Sequence, residues 1–109
     1  EVYGCGEQFS NFRLRGRVFP LWTSEQGVGR NKATRVTWEA DVQDKAGGDY
    51  WWTFYPQPSF ASSRRLFYHL ETSAWASFDF RDPERHELYA WALPESLTLL
   101  SAPSMLDLA

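Results

Sequence analysis

The chain has 109 residues, which fits one domain at most. Its eleven Lys and Arg and fourteen Asp and Glu give a net charge of −3 and are scattered without a basic stripe, so a nucleic-acid partner has no electrostatic support. The single cysteine, Cys5, excludes an intrachain disulfide and fits a reducing compartment, the cytoplasm; no apolar run reaches membrane-span length and no signal-peptide pattern appears.

The chain opens at Glu1-Val2-Tyr3, already strand-like, and the segments 16–20 and 24–32 read as loop, the second long and polar. Arg35 to Val42 alternates: Val36, Trp38, Ala40 and Val42 on one side, Arg35, Thr37, Glu39 and Asp41 on the other. That period of two predicts a strand with one buried and one wet face. Gln43 to Asp49, with Gly47-Gly48, reads as a hairpin loop leading to a second strand, Tyr50 to Tyr55. Pro56 and Pro58 are expected to end it, because proline cannot donate to a ladder. Further strands are predicted at Arg65–Glu71, Ala74–Phe80 and His86–Leu93, with a last one near Leu97–Ser101 and a turn at Asp82-Pro83. A period of 3.6 is absent until Ser104, which with Asp107 three residues on has the form of a helix start. Short strands separated by turn signals predict an all-β, antiparallel β-sandwich. Aromatics make up 17% of the chain, and most are assigned to its core, the remainder to a binding surface.

Two polar clusters stand out against this background. Tyr3-Gly4-Cys5-Gly6-Glu7-Gln8-Phe9 and Leu21-Trp22-Thr23-Ser24-Glu25-Gln26-Gly27-Val28-Gly29-Arg30-Asn31-Lys32 each set a Glu-Gln pair beside glycines and aromatics. Glycine permits tight turns and close backbone approach. Aromatic faces next to carboxylates and amides suit a polyhydroxylated ligand such as a sugar, whose ring stacks and whose hydroxyls need donors and acceptors. Glu7, Gln8, Glu25, Gln26 and Arg30 are therefore the candidate substrate-binding residues, with Arg30 able to grip an anionic group bidentately. No catalytic residue is assigned. Glu7 and Glu25 as a catalytic carboxylate pair is the weaker reading, since loop acids are usually just solvated. His69 and His86 do not sit at ligand spacing with Cys5, so no metal is expected, nor any cofactor. The glycines of 27–32 lack the Gly-Lys-Ser/Thr ending of a phosphate loop.

Gly4-Cys5-Gly6-Glu7-Gln8-Phe9, Leu14-Arg15-Gly16 and the string from Pro20 through Asn31-Lys32 closely resemble the N-terminal region of glycoside hydrolase family 31. The extended string resembles its sulfoquinovosidase branch, and the likeness continues through Gly47-Gly48-Asp49-Tyr50, Trp52-Thr53-Phe54, Pro56-Gln57-Pro58, Phe78-Asp79-Phe80 and His86-Glu87-Leu88. The resemblance implies a fragment of a galactose-mutarotase-like supersandwich, residues 1–103, followed at 104–109 by the start of a linker helix. The linker would lead toward a (β/α)8 catalytic barrel absent from this chain. It also implies a parent that is a retaining α-glycosidase, working through a covalent glycosyl-aspartate with both catalytic aspartates in that barrel. The loop 24–32, with the Gly6-Glu7-Gln8 turn beside it, is then expected to help shape the pocket for an α-glycoside, sulfoquinovosides included. The alternative is a free-standing carbohydrate-binding or protein-interaction module. A fragment cut from a larger sandwich is also expected to self-associate, for instance as a homodimer, through an uncovered strand edge.

Overall fold

In the computed structural model, which describes residues 1–25 and 27–108, two antiparallel sheets enclose one apolar core. Among the described residues the first sheet has the order β1 (Val2–Gly6), β3 (Pro56–Ser62), β4 (Leu66–Glu71), β7 (Ser96–Ser101). The second has the order β2 (Val18–Leu21), β5 (Ala76–Asp79), β6 (Glu87–Ala90). The architecture is thus the sandwich that the strand pattern predicts.

Alternation sets which face turns inward. Phe19 and Leu21 of β2 and Ala76 and Phe78 of β5 are buried, and they meet Val2, Phe60 and Leu70 from the opposite sheet. Phe60 sits at the centre, its ring 4.6 Å from Tyr68, 4.9 Å from Phe80 and 5.6 Å from Phe78. Truncating such a ring in a close-packed interior costs about 3–5 kcal/mol. Strands β4, β5, β6 and β7 fall where the sequence pattern puts them, within a few residues at each end.

Between residues 16 and 60 the structure departs from the pattern. The segment read as the clearest strand is an α-helix, α1 (Arg35–Asp44), and the predicted faces do not hold. Val36, Trp38 and Val42 are exposed, while Thr37, assigned to the wet face, is fully buried. Arg35 and Glu39 form an i,i+4 ion pair on its surface, and Lys45 in the left-handed region closes the helix, its N–H donating to the Asp41 carbonyl and the Ala46 N–H to the Ala40 carbonyl. Gln43 to Asp49 is accordingly no hairpin; Gly47 instead makes a parallel bridge to Val28. Tyr50 to Tyr55 is not a strand either. It is a turn followed by irregular backbone, tied by the Thr23–Thr53 bridge. Within 16–20, Val18 to Pro20 belong to β2 rather than to a loop.

Pro56 and Pro58 do not end a strand: Pro56 opens β3, an interior strand, and Pro58 lies within it. A break in the ladder makes this possible. β1 pairs with β3 at Gly4–Phe60 and again only at Gly6–Pro56, and β4 joins β3 only from Ser59. Pro58 thus falls in an irregularity where no ladder bond is asked of it.

Beyond β7 the chain turns at Ser104, whose hydroxyl donates to Asp107 Oδ2 at 2.7 Å, and a short 3-10 turn covers Leu106–Leu108. The helix start foreseen at 104–107 is therefore present in this form. β7 itself is a free edge, exposed along all six residues, with Leu97, Leu99 and Leu100 more than half exposed.

Candidate functional site

The first cluster is built by an unusual backbone. Gly4, Cys5 and Gly6 all have positive φ, at 129°, 62° and 81°. A Cβ on Gly6 would lie 2.0 Å from the Tyr55 carbonyl oxygen, so only glycine fits there. The close approach that these glycines permit is to β3 and the chain before it, not to a ligand. Glu7 N–H then donates to the Tyr55 carbonyl at 3.1 Å, which fixes the turn and leaves the Glu7 side chain at the surface. The Cys5 thiol is fully buried, and desolvation pushes its pKa up to about 12, so it is inert packing rather than a nucleophile.

Gln8 turns inward. Its Nε2 donates to the Cys5 carbonyl at 2.9 Å, while its Oε1 is buried and has no partner among the described residues.

Arg30 joins the second cluster to the first. Its Nε donates to Ser10 Oγ at 2.8 Å, its Nη2 to the Trp52 carbonyl at 2.5 Å, and Cζ lies 5.3 Å from the Phe9 ring centroid. One guanidinium thus ties the loop 27–32 to the turn 7–10 and to the segment 50–55. Desolvation lowers its pKa from the ordinary arginine value, and Nη1 is buried and has no partner among the described residues. Lys32 anchors the same loop to α1: Nζ is 2.8 Å from Asp41 Oδ2 and 3.0 Å from the Gly47 carbonyl, and it lies 5.0 Å from the Trp52 ring centroid. The Lys32 hydrogen bond is the main cause that holds the Asp41 carboxyl below the usual carboxylate range.

The five predicted residues do not line one site. Glu7 borders a cavity of about 640 Å³ with Tyr3, Tyr55, Gln57, Ser59 and Phe67. Arg30 borders another of about 640 Å³ with Phe9, Ser10, Asn11, Arg17 and Tyr50. Gln8 bonds the Cys5 carbonyl, and Arg30 lies against Phe9 and Ser10. Glu25 is exposed and has no hydrogen bond or ion pair among the described residues. Gln26 lies outside the described residues. Sequence reasoning missed Asp41, Ser10 and the Trp52 carbonyl. Asp41 was hidden by the strand reading of α1; the Asn31-Lys32 ending of the loop string was the available pointer to its partner.

Two opposed antiparallel sheets, with a glycine-framed acidic turn and a basic loop clamped together by Arg30, define a β-sandwich. The particular relatives are sulfoquinovosidases. The chain is 55% identical over 107 residues to the sulfoquinovosidase of Escherichia coli strain K12 and 53% identical over 107 residues to that of Agrobacterium fabrum strain C58. Each match covers 98% of this chain but only 16% of the relative. A solved family 31 sulfoquinovosidase from E. rectale, in complex with an aza-sugar inhibitor, superposes with a TM-score of 0.87 at 54% identity, over 93% of this chain and 15% of that one. No family model matches the chain. Over nearly its whole length the chain is thus similar to a part, 15–16% of the length, of family 31 sulfoquinovosidases.

Proposed function

We propose that this sequence is the non-catalytic β-sandwich portion of a retaining α-glycosidase of sulfoquinovosidase or α-glucosidase type. In this reading residues 1–103 form the sandwich portion and 104–109 begin a linker toward a (β/α)8 barrel elsewhere in the same cytoplasmic polypeptide. The sandwich supports the barrel, and the turn 7–10 with the loop 24–32 forms part of the substrate-pocket rim. Glu7 and Glu25, both exposed, accept hydrogen bonds from sugar hydroxyls there, while Arg30 and Gln8 hold the rim in shape.

The observation that carries this reading is the three-way grip of Arg30 on Ser10, Phe9 and Trp52. It holds the turn 7–10 against the loop 27–32 and the segment 50–55, which supports a role in shaping a substrate site from segments far apart in sequence. The 16% span of the relatives favours this over a free-standing carbohydrate-binding module.

The chain alone, assayed with aryl α-glycosides including the sulfoquinovoside, is expected to release no aglycone. Turnover that co-purifies with the chain and vanishes in Glu7→Gln would refute the proposal.

A further inference from the structure

Strand alternation leaves one face of the second sheet outside the core. Ala76 and Phe78 of β5 are buried, and Leu88 and Ala90 of β6 pack against the core. Ser77, Asp79, Glu87 and Tyr89 therefore stand on the opposite, outer face. The register pairs Ser77 with Tyr89 and Asp79 with Glu87, so each pair forms a row across the two strands. One step beyond the ladder, Trp91 N–H donates to the Trp75 carbonyl at 3.0 Å. The Trp75 ring lies 5.1 Å from that of Trp91 and 6.0 Å from that of Tyr89. The three rings make one aromatic cluster at the end of this face, and Tyr89 and Trp91 are 60% and 71% exposed. Rings already in mutual contact have little conformational freedom left to lose on binding.

The polar rows beside the cluster decide the charge of what it takes. Asp79 receives the Arg81 guanidinium, with Nε at 3.0 Å and Nη2 at 2.6 Å, and Glu87 receives Arg85 Nη2 at 2.5 Å. Each carboxylate of this face is thus neutralised by a neighbour two residues away, so the face offers neither an anion nor a cation a net counter-charge. It offers indole and phenol surface beside groups that accept and groups that donate. A pyranose matches that chemistry: its C–H face stacks on an aromatic ring, and its hydroxyls both donate and accept. We propose that the outer face of the β5–β6 ladder binds an uncharged sugar. Trp91 and Tyr89 supply the stacking surface, and Ser77, Asp79 and Glu87 the hydrogen bonds. None of these residues belongs to the turn 7–10 or the loop 24–32, so the proposal does not rest on the glycosidase reading.

The test uses the full polypeptide that carries this sequence, with cellotriose as the probe, an uncharged β-linked sugar that an α-glycosidase leaves intact. Cellotriose should shift the NMR signal of the Trp91 indole N–H. Calorimetry should show its binding weakened about tenfold or more in Trp91→Ala, partly restored in Trp91→Tyr, and unchanged in Trp38→Ala, an exposed tryptophan of α1. Because Trp91 is exposed, Tm of its variants should stay close to that of the wild type. No binding of cellotriose, or equal binding in Trp91→Ala, would overturn the proposal. Preferred binding of choline or of glucuronate would overturn it too, by assigning the face to a cation or an anion. So would a Trp91 indole N–H protected from solvent exchange before sugar is added, because another segment or a second copy would then cover the face.

Discussion

Gly29 lies against Thr37 so closely that a Cβ at position 29 would come 2.0 Å from Thr37 Oγ1 and 2.9 Å from the Thr37 backbone nitrogen. This contact seats the loop on α1. It also explains why Thr37 is fully buried: its hydroxyl oxygen accepts from Asn31 N–H and from the Thr34 hydroxyl, at 3.3 and 3.0 Å. Gly29 has a φ of 79°, so a side chain there would be strained as well as crowded.

Gly29→Ala should therefore cost about 1–3 kcal/mol. Because the obstacle includes backbone, the loop must lift away from α1, and Arg30 must lose its hold on Trp52. Chemical denaturation with an unchanged m-value checks the loss. Gly16→Ala is the control, since a Cβ there meets nothing within 4 Å, although its φ of 85° still carries strain. Equal losses at the two positions would mean that the Thr37 contact contributes nothing.

Asp41 gives the loop a pH dependence. Its folded-state pKa is depressed, first by the Lys32 hydrogen bond, so the tie between loop and α1 is present above the ordinary carboxylate pKa. It is lost as pH falls through the depressed folded value. Protection factors of the 28–32 amides, corrected for intrinsic exchange, should fall over that acidic window in the wild type. In Lys32→Met the same amides should exchange rapidly already at neutral pH. Protection that is flat with pH in both proteins would contradict the tie.

The β7 edge should make the chain, expressed alone, self-associate. Ser96-Leu97-Thr98-Leu99-Leu100-Ser101 carries no charge and no proline, the usual guards of an open edge. Its three leucines add exposed apolar surface. Sedimentation at micromolar concentration should show dimers or larger species, and Leu99→Lys should shift them toward monomer. A single monomeric species with a cooperative melt would rule the association out.

The sandwich was legible where strands are short and alternate cleanly. β4 through β7 have inward apolar positions two apart or turn signals at their ends, and their placement held. α1 was not legible, because Val36, Trp38, Ala40 and Val42 mimic an alternating strand over eight residues. What decides the helix is distant: Thr37 buried under Gly29, and Asp41 drawn to Lys32. Pro58 misled for a related reason, since its tolerance depends on an irregularity created by the positive-φ run at Gly4 to Gly6. The candidate site was legible as residue types but not as geometry. Arg30 and Gln8, expected to bind a ligand, bond protein groups instead: Gln8 Nε2 the Cys5 carbonyl, Arg30 Nε and Nη2 Ser10 Oγ and the Trp52 carbonyl.

The central claim is that the turn at Glu7 serves a substrate pocket completed elsewhere in the polypeptide. The most direct test is kcat/KM of the full-length protein on a sulfoquinovoside, wild type against Glu7→Ala, with Tm measured alongside. Loss of one hydrogen bond from the carboxylate to a sugar hydroxyl corresponds to about 1.5–3 kcal/mol, roughly a tenfold to hundredfold fall in kcat/KM. The account predicts that fall with Tm nearly unchanged, because the Glu7 side chain is exposed and only its backbone N–H holds the turn. Wild-type kinetics together with a lowered Tm would contradict it.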